Sequence, residues 1–102
     1  MLIEKFLDYL QLEKNYSLNT LSAYKRDLIQ YNKFIIENNG NLKIEKADYK
    51  VIRSWIISMV NSNISNRSIN RKVSSLKSFY KFLIKTETIN SSPLKAHSPL
   101  KQ

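Results

Sequence analysis

The chain has 102 residues, a formal net charge of +9 and no cysteine. Its length fits one domain with a core of its own, and the lack of cysteine excludes disulfides, thiolate zinc sites and a thiol nucleophile. Its single glycine and two prolines argue against β-hairpins and exclude a glycine-rich phosphate loop. The composition therefore favours an all-α fold.

Two amphipathic helices are predicted in the first half of the chain. Apolar residues three and four positions apart indicate the first over residues 2–14, where they are Ile3, Phe6, Leu7 and Leu10. Ser17 can then cap a second helix over residues 18–38, because its hydroxyl can accept a hydrogen bond from a backbone N–H one turn on. Gly40 supplies an end to this helix, since glycine adopts a positive φ without strain.

The same signals predict two further helices, followed by a segment without helical periodicity. Asp48 can cap a third helix over residues 49–61, and Ser65 can cap a fourth over residues 66–86. Residues 87–102 contain both prolines, and their pattern is typical of an extended linker.

Short connections between these helices predict a compact all-α four-helix bundle over residues 1–86. The N-terminus has no signal-peptide pattern, because the charged residues Glu4 and Lys5 interrupt its apolar residues. No apolar stretch reaches the ~20 residues that a membrane span needs. We expect a cytoplasmic protein that does not enter a membrane.

The positive charge is concentrated in one part of the chain. No carboxylate occurs between Asp48 and Glu87, whereas this interval contains eight cations: Lys50, Arg53, Arg67, Arg71, Lys72, Lys77, Lys81 and Lys85. A field of one sign costs self-repulsion that a polyanionic partner relieves. Nucleic acid is therefore the first partner predicted. An acidic protein is an alternative, and an anionic membrane is disfavoured because the apolar helix faces are needed to bury one another.

Catalysis within these residues is not expected. The single histidine, His97, lies in the tail without a neighbouring carboxylate and is interpreted as a solvated linker residue. No catalytic, cofactor-binding or metal-binding residue is assigned. The aromatic residues fall mostly on apolar faces and are assigned to the core rather than to single-strand stacking. Phe82 is the exception, since it lies near the edge of the apolar face and is expected to contact a partner or a second domain.

Two stretches resemble a known family. Residues 16–28, Tyr-Ser-Leu-Asn-Thr-Leu-Ser-Ala-Tyr-Lys-Arg-Asp-Leu, are similar to the S-x-N-T-x-x-x-Y-x-x-D-L segment of tyrosine recombinases. Residues 68–83 resemble the T-I-x-R-x-L-S-A-L-R-S-F-Y-x-F-L segment of the same family, with Ser68 in place of Thr and Lys77 in place of Arg. The proline-containing tail also resembles the linker of that family. The likeness spans nearly the whole chain.

The resemblance implies the N-terminal core-binding, SAM-like domain of a phage integrase or Xer-type tyrosine recombinase. In that family the domain forms half of a clamp on double-stranded DNA, with its second and fourth helices facing the major groove. Carried over by position, the implied DNA-binding residues are Ser17, Asn19, Thr20, Tyr24, Arg26, Arg67, Asn70, Arg71, Ser74, Ser75, Lys77 and Lys81. The resemblance also implies a C-terminal catalytic domain beyond the linker, acting through a phosphotyrosine intermediate.

The expected function is thus DNA binding during recombination or integration, with other recombinase protomers as partners and with the isolated domain monomeric. The alternative is a free-standing helix-turn-helix regulator that uses its fourth helix for recognition. We expect replacement of Arg71 or Lys81 by alanine to weaken DNA binding without unfolding the bundle.

Overall fold

The computed structural model describes residues 1–101, so that Gln102, the last residue of the predicted linker, lies outside the described residues. Its elements, in chain order, are α1 (Leu2–Leu12), α2 (Leu18–Asn39), a 3-10 helix (Ile44–Lys46), α3 (Tyr49–Asn61) and α4 (Asn66–Lys85). No strand occurs in this part of the chain. The all-α prediction with four helices is confirmed.

Side-chain caps set the starts of three helices where the sequence predicted them. Ser17, Asp48 and Ser65 each accept a hydrogen bond of 3.2 Å from the backbone N–H three residues on. Each such cap contributes on the order of 1 kcal/mol to helix stability. Positive φ angles of 57° at Asn15 and 55° at Gly40 allow the chain to turn sharply beside α1 and after α2.

Both α2 and α4 pack against each of the other three helices. The ring of Phe6 on α1 lies edge-on to Phe79 of α4, with the ring centroids 5.5 Å apart. Phe82 is also buried, because its ring lies 5.5 Å from Phe6 and 5.0 Å from Tyr9. Phe82 therefore belongs to the core, contrary to the expectation, whereas its contact with a partner or a second domain stays a prediction.

A hydrogen-bonded chain of two buried tyrosines crosses the core. The Tyr80 hydroxyl donates to the carbonyl oxygen of Ile44 at 2.8 Å, and the hydroxyls of Tyr31 and Tyr80 are 2.9 Å apart. Because the Tyr80 hydroxyl proton is already donated to the Ile44 carbonyl, the Tyr31 hydroxyl is the donor to Tyr80. These two hydrogen bonds link α2, α4 and the 3-10 helix. The sequence did not predict the 3-10 helix. Burial raises the pKa of Tyr31 to about 12 and also raises that of Tyr80.

Residues 87–101 contain no helix or strand, as expected of a linker, yet they pack against the bundle. Leu94 is buried, and the Asn70 side chain forms two hydrogen bonds with the Leu100 backbone, of 2.8 and 2.9 Å. His97 is half-buried, and its Nδ1 lies 2.9 Å from the Tyr49 hydroxyl. The interpretation of His97 as a solvated residue is wrong, because its ring is partly buried and packs on Tyr49 at the start of α3.

Within residues 1–101, no helix combines the length and the apolar character needed to cross a membrane.

The tyrosine chain predicts unequal effects of two similar substitutions. Tyr80→Phe leaves both the Ile44 carbonyl and the Tyr31 hydroxyl without their partner, so it costs about 2–3 kcal/mol of unfolding free energy. Tyr31→Phe removes only a donor to Tyr80 and costs about 1 kcal/mol. Urea unfolding of both variants measures the difference. Equal losses would contradict the assigned direction of donation.

His97 predicts a pH-dependent part of the stability. Partial burial and, second, the charge of Lys77 lower its pKa below the usual 6.5. The unfolded chain therefore binds a proton more readily, and the stabilisation present above about pH 6.5 is lost as the pH falls towards the folded pKa. When the pH is lowered from 7.5 to 5.0, the free energy of unfolding measured with urea should fall less for His97→Gln than for the unmodified chain. Parallel pH profiles would rule out this contribution.

Candidate nucleic-acid interface

The outward side of α4 carries most of the cations of this helix. Between Asn66 and Lys85 the helix has six lysines and arginines and no acid. Lys72 alone is buried, and five are exposed: Arg67, Arg71, Lys77, Lys81 and Lys85. Like charges on successive turns repel one another, which favours contact with an anion.

A buried carboxylate fixes α4 against α2. Asp27 is fully buried on α2, and its Oδ2 accepts hydrogen bonds from the Arg71 guanidinium at 2.7 Å and from the Ser75 hydroxyl at 2.8 Å. Its Oδ1 accepts from the Lys72 ammonium at 3.3 Å. An unpaired carboxylate at this depth would cost several kcal/mol, so these three donors are what allows Asp27 to be buried.

The cations of this cluster are also satisfied. Lys72 Nζ donates to Gln30 Oε1 at 2.6 Å, and Arg71 keeps 47% of its side chain exposed. Across residues 1–101, every buried side-chain nitrogen or oxygen has a hydrogen-bond partner, and the only ion pairs are those of Asp27 with Arg71 and Lys72. The cluster therefore sets the spacing of α2 and α4 without leaving a polar atom unpaired.

This spacing forms an open depression of about 400 Å³ between the two helices. Eight residues line it, and six of them are predicted DNA-binding residues: Asn19, Thr20, Tyr24, Arg71, Ser74 and Ser75. The other two are Ala23 and Asp27. The structure thus brings together residues from both segments that carry the family resemblance.

On α2 the predicted residues have different surroundings. Asn19, Thr20 and Arg26 are exposed, although Arg26 does not line the depression. The Ser17 hydroxyl caps α2 and lies 3.0 Å from the Thr20 hydroxyl. Tyr24 is half-buried, with its ring centroid 5.8 Å from that of Phe6. Thr20 and Asn19 are therefore the α2 side chains that are both exposed and at the depression.

On α4 the predicted residues divide between two edges. Ser74 and Arg71 are exposed at the depression, whereas Ser75 is buried against Asp27. Asn70 and Lys77 lie on the other edge, where Asn70 binds the tail backbone. The pKa of His97 is lowered there by burial and, second, by the charge of Lys77. The two remaining predicted residues of α4, Arg67 and Lys81, are exposed.

Sequence reasoning missed the structural residues Asp27, Lys72 and Gln30. A signal for Asp27 was available, because it is a carboxylate three residues after Tyr24 and four before Tyr31, on the apolar stripe of α2. A charge at such a position indicates a buried partner.

The side chains of this surface are hydrogen-bonding groups and cations. Residues 1–101 contain no group of three or more histidine, aspartate or glutamate side chains placed to hold a metal ion. The depression and the adjacent side of α4 present hydroxyls, an amide and cations, which hydrogen-bond phosphates and base edges.

Comparison with known proteins identifies the family. Residues 3–87 match the model of the phage integrase N-terminal SAM-like domain. The chain belongs to this family. It is 38% identical over 88 residues to a tyrosine recombinase XerC of Anoxybacillus flavithermus, covering 86% of this chain and 29% of the relative. It is 42% identical over 94 residues to a tyrosine recombinase XerC of Rickettsia canadensis, covering 88% of this chain and 31% of the relative.

The chain thus spans about 30% of the length of these curated relatives. No solved structure matches it significantly. The resemblance to tyrosine recombinases inferred from the two motifs is confirmed, and both motifs lie within the matched residues.

The Asp27 cluster predicts a large loss of stability on removal of one charge. Asp27→Asn leaves the buried Lys72 without its counter-ion. It also places the amide N–H₂ group against side chains that are themselves donors. We therefore expect the free energy of unfolding, measured with urea, to fall by about 3 kcal/mol. Asp8→Asn, on the exposed side of α1, is the matched control and should change stability by less than about 0.5 kcal/mol. Similar values for both variants would show that the cluster does not hold the helices.

Proposed function

We propose that this domain binds double-stranded DNA through the depression between α2 and α4 and the adjacent outward side of α4. The observation that carries the proposal is the convergence of six predicted side chains from two separate motifs on one open depression. Arg71 and Ser75 are placed there by their bonds to Asp27. The positions of Asn19, Thr20 and Ser74 are not explained by the core, because these side chains are exposed.

The charges support phosphate contact beside this depression. Of the six cations of α4, Arg71 and Lys72 neutralise Asp27, and four remain outside the ion pairs: Arg67, Lys77, Lys81 and Lys85. Phosphate contacts of lysine and arginine supply most of the affinity for DNA and position the protein on the duplex. Short side chains at Ser74 and Thr20 let the two helices approach a groove closely.

The predicted residues then take different parts in binding. Asp27 and Ser75 position Arg71, whose guanidinium has five N–H donors and uses one of them on Asp27. The remaining donors of Arg71 are available to DNA. Asn70 holds the tail backbone and is assigned to tail positioning. Lys77, beside the tail, is assigned a phosphate contact at the edge of the footprint, as is Arg26.

The expectation that Arg71→Ala leaves the bundle intact is revised in this proposal. Removal of the guanidinium takes away one of the two cations that neutralise the buried Asp27. Arg71→Ala therefore tests stability and binding together, whereas Lys81, which is outside the ion pairs, tests binding alone.

We further propose that the domain forms the N-terminal half of a DNA clamp in a tyrosine recombinase or integrase that assembles with other protomers. The relatives named XerC are about three times longer than the matched region. We assign catalysis through a phosphotyrosine to a domain other than this one, as the family resemblance implies. The buried tyrosines Tyr31 and Tyr80 are unsuited to that chemistry, because burial raises their pKa and their hydroxyls bond each other. Family membership favours this role over that of a free-standing regulator.

A salt titration tests the duplex interface. With four phosphates neutralised, by Arg26, Arg67, Lys77 and Lys81, the logarithm of the association constant should fall against the logarithm of salt concentration with a slope of roughly −3.6. Lys81→Gln should weaken binding and reduce this slope by about 1. Lys43→Gln, beside the start of α1, is the control and should leave the slope unchanged.

Fluorescence anisotropy with a labelled duplex measures these constants. Absence of binding at low salt, or equal slopes for the unmodified chain and Lys81→Gln, would contradict the proposed interface.

A further inference from the structure

A second cleft lies beside the proposed duplex interface, between α1 and the C-terminal half of α4. Its volume is about 530 Å³, and it combines aromatic rings with lysines: Tyr9, Tyr16, Phe82, Lys14, Lys81 and Lys85. Of these residues, only Lys81 belongs to the predicted DNA-binding set. The duplex interface does not account for an aromatic cleft at this end of α4.

Two of the three lysines of the cleft, Lys14 and Lys85, lie over an aromatic ring. Lys85 Nζ lies 4.8 Å from the centroid of the Tyr9 ring and donates to its hydroxyl at 3.3 Å. Lys14 Nζ lies 6.0 Å from the same centroid. Cation–π contacts of this kind restrain a lysine without neutralising its charge. None of the residues lining the cleft is acidic, so the ammonium groups are available to an anion.

The cleft also presents an exposed aromatic ring. Tyr16 is 39% exposed, although it packs on Tyr24 with ring centroids 6.1 Å apart and an interplanar angle of 22°. Exposed rings beside a basic groove are the features with which proteins bind single-stranded nucleic acid, because bases stack on the rings while cations contact the backbone. Both features are present here within one cleft.

The cleft adjoins the depression of the duplex interface across a pair of packed tyrosine rings. Tyr24 lines the depression between α2 and α4, Tyr16 lines the cleft, and the two rings pack on each other. A strand that separates from a duplex lying on the depression can therefore enter the cleft past Tyr16.

We propose that this cleft binds an unpaired nucleotide of single-stranded DNA. The base stacks on Tyr16, and Lys14, Lys81 and Lys85 contact the flanking phosphates. The inference rests on the proposed function, because it places the cleft at the edge of the duplex interface.

The test compares the affinities of variants for a labelled oligothymidylate and for a labelled duplex in fluorescence anisotropy. Tyr16→Leu keeps an apolar side chain against Tyr24 but removes the ring on which a base stacks. It should weaken binding of the oligothymidylate at least about fivefold more than binding of the duplex. Tyr49→Leu is the matched control, because Tyr49 is 37% exposed at the start of α3, and it should weaken both by the same factor or not at all.

A second pair of variants tests the charge. Lys85→Gln should weaken oligothymidylate binding more than Lys43→Gln does, since Lys43 lies beside the start of α1. A polyglutamate peptide should compete less well than oligothymidylate of equal charge, because it has no bases to stack.

The outcomes separate the two proposals. Duplex binding that depends on Lys81, together with oligothymidylate binding that is unaffected by Tyr16→Leu, would overturn the cleft proposal alone. Equal competition by polyglutamate would overturn it as well, since the cleft would then bind any acidic chain. Failure of the unmodified chain to bind either DNA would overturn both the cleft and the proposed function.

Discussion

The ion-pair cluster around Asp27 is the interaction on which the rest of this surface depends. A carboxylate that is fully buried on α2 is tolerated only because three side chains of α4 donate to it. The cluster brings the polar start of α2 beside the cationic side of α4 and sets the width of the depression between them. It also separates the cations of α4 into those that neutralise Asp27 and those that remain for a partner.

The cluster explains why one residue type has two roles within a few turns of the same helix. Lys72 is buried and structural, while Lys81 is exposed and unpaired among the residues that the structure describes. Arg71 lies between these cases, since one of its N–H groups is fixed on Asp27 and nearly half of its side chain remains exposed. An arginine held in this way loses less conformational entropy when it contacts a phosphate than a free side chain would.

Much of the fold followed from local sequence signals. The caps at Ser17, Asp48 and Ser65 and the apolar periodicities predicted four helices to within two residues at each end, because these signals act over a single turn. The 3-10 helix was missed, since Ile44 is fixed by a hydrogen bond from the distant Tyr80. The position of the tail was also missed, because it depends on Leu94 and on the hydrogen bonds of Asn70, which no local pattern indicates.

The sequence predicted which residues form the candidate site, but not which of them are exposed for binding and which hold the helices together. The family resemblance nominated exposed residues such as Thr20, Ser74 and Lys81. It could not show that Ser75 faces a buried carboxylate, since that contact joins residues 48 positions apart.

The proposed interface is tested most directly by mapping the backbone amide shifts of the chain on addition of a DNA duplex at low ionic strength. The largest changes are expected at the start of α2 and along the outward side of α4, around Thr20, Ser74 and Lys81. Changes confined to the exposed side of α3, around Ile57, or no changes at all would contradict it.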